Sequence, residues 1–126
     1  MTGLTAGALV LVCLAGGVGA VVRVLLDGEL RARTGRAVGT GVVNVVGSLV
    51  IGLATGLLSA PGGSTLLAVV ATGFCGGVTT FGTAVVEVLR LAGDRRPAAA
   101  LGAAAVTVVV STGAAGAGLL LGRALA

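Results

Sequence analysis

Hydrophobic positions in this chain do not alternate with polar ones; they run on. Met1–Val22, Ala37–Val86 and Pro97–Gly122 carry no charged side chain at all. A helix needs about 20 apolar residues to cross the hydrocarbon core of a bilayer. The first run supplies one span, reaching about Leu26 if Arg23 lies near an interface. The second is 50 residues long and holds a breaker cluster, Ser59-Ala60-Pro61-Gly62-Gly63-Ser64, which divides it into two spans. The third run gives a fourth span, with Pro97 suited to its first turn. The pattern predicts an all-α integral membrane protein: four transmembrane helices over about 3–26, 38–58, 65–91 and 98–122, in one domain, with both termini on the same side. Two connections carry charge: Asp27, Glu29, Arg31, Arg33 and Arg36 between the first two spans, and Asp94, Arg95 and Arg96 between the last two. A secretory signal fits the N-terminal run poorly, since it lacks a basic leader and is too long.

Composition agrees and closes off other classes. Of 126 residues, 56% are apolar, 24 more are Gly and only 10% are charged, against roughly 25% in a soluble domain. Such a surface would be too apolar to stay dissolved, which excludes a soluble enzyme domain, a nucleic-acid binder and a disordered tail. The net charge of +4 comes from eight arginines at the ends of hydrophobic runs, where membrane proteins keep them. Cys13 and Cys75 both fall inside spans and read as small buried hydrophobes.

Lipid gives helices no hydrophobic reason to associate, so small residues must let them approach. Gly52 and Gly56, Gly73 and Gly77, and Gly118 and Gly122 are each four apart on one face. Gly16-Gly17-Val18-Gly19 and Gly76-Gly77 are clusters that loosen a helix. The second leads into Val78-Thr79-Thr80-Phe81-Gly82-Thr83, which predicts a third helix broken near the membrane centre. Backbone groups freed there cost several kcal/mol each in hydrocarbon, so a break persists only if buried in protein or serving a ligand. A kinked structural helix is the plainer alternative. Asn44 is the one amide within a span, with Ser48 a turn beyond. Thr107 and Ser111 share a face of the fourth helix, with Thr112 beside it. These groups form either helix contacts or a polar track. The aromatic residues are Phe74 and Phe81; a ring edge is partially positive and suits an anion. Arg23 and Glu87 sit near span ends, and no acid lies mid-membrane. That argues against a proton-coupled transporter and so against a small multidrug-type exporter of similar size.

Three of these segments carry a family resemblance. Gly16-Gly17-Val18-Gly19-Ala20-Val21-Val22-Arg23 resembles the opening motif of the Fluc (CrcB) fluoride channels. Gly39-Thr40 with Asn44 and Gly47-Ser48 resembles their second motif, and Thr72–Thr83 followed by Glu87 their third. The likeness spans the whole chain. It implies a fluoride-selective ion channel, not an enzyme, that exports fluoride passively from the cytoplasm of a bacterial cell and lowers its toxicity. It implies an antiparallel dimer of dual-topology type, with two pores and a structural sodium ion at the centre. The matching sodium ligands are the backbone carbonyls of Gly76 and Thr79. The matching pore groups are Asn44, Phe81, Thr83, Thr107 and Ser111, with Arg23 in the vestibule. Fluoride is strongly hydrated, so such a pore must replace water with short donor contacts: amide N–H, hydroxyls, ring edges and a fixed cation.

The chain departs from that pattern. Ala84 stands where the family usually has a second Phe, Gly82 where it has Ser, and Ala103 where it has Tyr; Ala37 and Val38 stand where a Pro is common. The arginines are also lopsided. Arg31, Arg33, Arg36, Arg90, Arg95 and Arg96 lie on the side away from the termini, against Arg123 alone on the other. Basic residues stay cytoplasmic, so both termini are expected outside. An antiparallel homodimer requires a balanced count, and this bias favours a homologous partner chain of opposite bias in a heterodimer. A poorly conducting or structural subunit of such a pair is the alternative. The Ala, Gly, Val and Arg bias fits a GC-rich bacterial genome.

Overall fold

A computed structural model describes residues 4–35 and 39–126. Gly3, at the expected start of the first span, and Arg36, Ala37 and Val38, around the expected start of the second, lie outside the described residues. The regular elements among those described are helical. They are α1 (Ala6–Thr34), α2 (Gly39–Leu58), a third span from 64 to 93, and α6 (Pro97–Leu125). The third span is composite: α3 (Ser64–Leu67), a π-helical stretch Ala68–Cys75, α4 (Gly76–Val78), and α5 (Phe81–Gly93) beyond a two-residue interruption. Four of these lengths are apolar enough to cross a membrane, so this is a multi-pass membrane protein.

Helix α1 shows how local sequence sets its ends. Thr5 caps it, its hydroxyl accepting from the Ala8 N–H at 3.2 Å. Gly35 ends it in the left-handed region at φ 67°, its N–H donating to the Arg31 carbonyl at 2.9 Å. At 29 residues the helix is about 44 Å long, well beyond a hydrocarbon core of about 30 Å. The extra turns hold Asp27, Glu29, Arg31 and Arg33, so the expected first connection is mostly helix. Charge marks where a chain leaves the bilayer, not where a helix ends. Acid-to-base spacing of four residues also supports continuation, and Arg33 Nε donates to Glu29 Oε1 at 2.7 Å.

Glycines then set the packing. Helix α1 stays unbroken through Gly16, Gly17 and Gly19; Gly16 and Gly19 serve close approach instead, while nothing lies within 4 Å of a Cβ at Gly17. A Cβ on Gly19 would run into the Phe74 carbonyl, and one on Gly77 into the Gly16 carbonyl. A Cβ on Gly73 would lie 2.7 Å from the Val12 carbonyl. Contacts thus advance together, Val12 with Gly73 and Gly16 with Gly77, so α1 and the leading half of the third span run parallel. A second parallel seam joins α2 and α6: Gly52 meets Ala115, Gly56 meets Gly122, and Gly118 meets Leu49. The buried apolar residues are correspondingly small: Ala8, Val43, Ala54, Cys75, Val78 and Ala100. Large side chains such as Leu14, Val18, Leu25, Leu101 and Leu120 are exposed, as a lipid-facing surface requires.

One methyl tests a seam. Gly118→Ala is expected to lower the thermal midpoint of the detergent-solubilised protein, at a cost of about 1–3 kcal/mol for an overpacked contact. Gly7→Ala, where nothing lies within 4 Å of the added Cβ, is expected to leave the midpoint unchanged or slightly raised. Thermal unfolding followed by size-exclusion chromatography separates the two.

Candidate functional site

The break in the third span is at Thr79–Thr80, two residues beyond the glycine pair. Gly76 and Gly77 remain helical, and the chain turns extended at Thr79 (φ −77°, ψ 151°) and Thr80 (φ −146°, ψ 122°). The π-helical stretch Ala68–Cys75 leads into it; such widened turns recur at functional sites. Two extended residues end the regular ladder of i to i−4 bonds. The last bond of the leading half runs from the Thr79 N–H to the Cys75 carbonyl at 2.9 Å, and the Thr79 hydroxyl donates to the same oxygen at 2.9 Å.

Asn44 repairs the next residue. Its Oδ1 accepts from the Thr80 N–H at 2.8 Å, and its Nδ2 donates to the Thr80 carbonyl at 3.1 Å. One amide thereby satisfies both backbone groups of the residue at the centre of the break. Asn44 is only 8% exposed and keeps a second amide hydrogen beyond this pairing. One turn on, Gly47 lets the Thr79 methyl sit against α2, where any Cβ would overlap it. On the far side of the break the Thr80 hydroxyl starts α5, accepting from the Thr83 N–H at 3.3 Å and donating to Thr83 Oγ1 at 3.2 Å.

These side-chain bonds release specific carbonyls. In an unbroken helix the Thr80 N–H would serve the Gly76 carbonyl, and the Thr83 N–H the Thr79 carbonyl. Both donors are taken, by Asn44 and by the Thr80 hydroxyl. Gly76 is exposed and Thr79 half-buried. Among the described residues no group of three or more His, Cys, Asp or Glu side chains is arranged to hold a metal.

A cleft of about 430 Å³ opens beside the break, lined by Arg23, Asp27 and Arg31 of α1, Thr40 of α2, and Thr80 and Thr83. The structure therefore gathers Arg23, Asn44 and Thr83 around one site, with Asn44 reaching it through Thr80. Phe81, the first residue of α5, is 85% exposed and packs against little of its own chain. Thr107 and Ser111 do not line the cleft. Ser111 shares its face of α6 with Ala115, Gly118 and Gly122, the stripe that meets α2, and its hydroxyl is buried with no hydrogen-bond partner.

Four members of the site were not singled out by sequence reasoning. Thr80 is the residue that is held, yet nothing in a Thr-Thr pair says which one breaks. Thr40 is buried at 7% exposure and is four residues before Asn44, a spacing that puts both on one face. Asp27 and Arg31 continue the Arg23 face at successive turns, a signal masked by reading them as a connection.

The break site can be tested without assigning a function. Asn44→Leu leaves the N–H and carbonyl of Thr80 unpaired, at a cost of about 1–3 kcal/mol for each group. The Thr80 amide is expected to lose hydrogen-exchange protection while amides of α6 keep theirs. Asn44→Asp, which keeps an acceptor, is expected to retain part of that protection.

The sequence model of one family, described as CrcB-like protein, Camphor Resistance (CrcB), matches residues 10–119. A protein of Leifsonia xyli named fluoride-specific ion channel FluC 1 is 46% identical over 114 residues, covering 88% of this chain and 83% of that one. One of Cutibacterium acnes, named FluC 2, is 53% identical over 85 residues, covering 64% and 69%. The FluC 2 of Mycobacterium tuberculosis is 39% identical over 127 residues, covering 99% and 95%.

Proposed function

The chain belongs to the CrcB family, and from that premise we propose that it forms a fluoride-selective channel that lets fluoride leave the cytoplasm passively. The observation that carries this reading is the break held by Asn44 within the uncharged stretch that runs to Val86. It concentrates amide and hydroxyl donors at membrane depth with no titratable group among them. The second amide hydrogen of Asn44 and the hydroxyl of Thr83, which accepts the Thr80 O–H and keeps its own hydrogen, are the donors of this chain suited to a dehydrated anion. Arg23 at the cleft supplies the attraction that brings an anion to them. The Phe81 ring edge, largely uncovered by its own chain, suits an anion passing along an adjoining subunit. Thr107 and Ser111 stand on α6 as further hydroxyls, and the buried oxygen of Ser111 has no hydrogen-bond partner.

A structural sodium ion at the centre of an antiparallel dimer fits the residues present. Sodium takes oxygen ligands, and the carbonyls of Gly76 and Thr79 are those whose regular donors are engaged elsewhere. When bound, the ion would supply a fixed positive charge between two chains. The exposure of Gly76 is what a contribution from a second subunit needs.

The arginine bias bears on which subunit that is. The C-terminal end of α1, the Gly93–Pro97 turn and the start of α6 lie at one end of the bundle. They carry Arg31, Arg33, Arg95 and Arg96, with Arg90 in the last turn of α5; Arg36 lies outside the described residues. Positive charge on that side fixes it in the cytoplasm and both termini outside. We therefore take the partner to be a homologous chain of opposite bias. The Ala84 and Ala103 positions favour the same reading, since each lacks an aromatic ring that the partner would bring.

Fluoride efflux from liposomes tests both levels. Co-purified with a homologue of opposite arginine bias, the chain is expected to give fluoride efflux that chloride does not share and that Asn44→Leu abolishes. Alone, it is expected to give little. Brisk selective efflux from the chain alone would overturn the paired reading and leave the channel reading intact. No selective efflux from either preparation would overturn the channel.

A further inference from the structure

One acid lines the cleft, and nothing in the conduction path described above uses it. Asp27 is four residues from both Arg23 and Arg31, so the three side chains share a face of α1 and line the cleft together. The spacing would allow an ion pair with either arginine, and Asp27 makes neither. The ion pair among the described residues is Arg33–Glu29, and Asp27 Oδ1 is buried with no hydrogen-bond partner. Packing holds it in place. Gly39, the first residue of α2, lacks the Cβ that would otherwise overlap the carboxylate and lie 2.7 Å from the Asp27 Cα. From α1 the cleft thus receives two guanidiniums and one unpaired carboxylate; α2 and the break bring only the hydroxyls of Thr40, Thr80 and Thr83.

We propose that Asp27 is an intrinsic counter-charge that keeps the arginine-lined cleft from retaining the anion it admits. Two guanidiniums facing donors around a break would hold a small anion firmly, whereas conduction requires binding weak enough for release. A carboxylate fixed between them, spent on no salt bridge, lowers the positive potential at the mouth and competes with the anion for the arginines. Asp27 is thus a positioning and specificity-determining residue. The assignment rests on the fluoride-channel reading for its purpose, and on the cleft alone for its electrostatics.

The test has an arm for each. In the first, a Thr83→Cys probe is placed in a chain carrying Cys13→Ala and Cys75→Ala. Its modification rates by an anionic and a cationic thiosulfonate reagent are compared. Asp27→Asn is expected to raise the anionic-to-cationic ratio about two- to fivefold at low ionic strength. The change is expected to vanish near 1 M salt, where the screening length is about 3 Å. Arg31→Gln is expected to shift the ratio the other way. In the second arm, Asp27→Asn is expected to make fluoride flux saturate at a lower fluoride concentration, in whichever assembly conducts. An unchanged ratio would overturn the proposal, including the case where Asp27→Asn merely lowers the thermal midpoint, which would assign the carboxylate to bracing α2. A shifted ratio with no flux from the parent assembly would overturn the channel reading while leaving the counter-charge standing.

Discussion

A helix interrupted at membrane depth has no water to complete its backbone hydrogen bonds, and the two bonds between Asn44 and Thr80 meet that demand. They also decide what else is available at the site. Because Asn44 takes the Thr80 N–H, the Gly76 carbonyl is released; because the Thr80 hydroxyl caps α5, the Thr79 carbonyl is released. An unpaired N–H in hydrocarbon is a liability, whereas a carbonyl without its regular donor can still serve a cation. The break therefore pairs both backbone groups of Thr80 and leaves the Gly76 and Thr79 carbonyls without their regular donors.

Such a pairing needs α2 held at a fixed depth against the third span, and the glycine seams provide it. Helix α1 grips the leading half of that span through Gly16, Gly19, Gly73 and Gly77, and α2 grips α6 through Gly52, Gly56, Gly118 and Gly122. Both seams are backbone against backbone, so sliding either helix by one residue would bring a Cβ into a carbonyl. Gly47 extends the same logic to the break, letting α2 come close enough for Asn44, three residues earlier, to reach Thr80. Small residues here substitute for the hydrophobic effect, which cannot drive helices together in lipid.

Much of this was legible in the chain because the bilayer imposes strong rules. Span number followed from uncharged runs, and the broken third helix from Gly and Thr crowding where a span has no reason to hold them. Asn44 stood out as the one amide at depth. What sequence could not resolve was local. The glycines at 16–19 and 76–77 look alike as helix looseners, yet both stretches stay helical, with Gly16, Gly19 and Gly77 packed on a neighbouring helix. The break falls on extended threonines instead, where a partner across the bundle can bond the backbone, and that partner is 36 residues away. The helical run from Asp27 to Thr34 was hidden for another reason: hydropathy reports the membrane boundary and is silent about helix beyond it.

That extension of α1 links the site to the charge asymmetry. By continuing as helix past the hydrocarbon, α1 carries Asp27 and Arg31 on the face already begun by Arg23, so the cleft mouth is built from the same turns that bias insertion. The two roles pull in opposite directions. Insertion favours as many cytoplasmic arginines as possible, while an anion path tolerates only as much positive potential as still permits release. An acid placed between arginines at helical spacing reconciles them. Insertion bias depends on basic residues and is little affected by Asp or Glu, so Asp27 leaves the topology signal intact while reducing the field inside the cleft. An arginine removed instead would ease the cleft at the expense of the orientation.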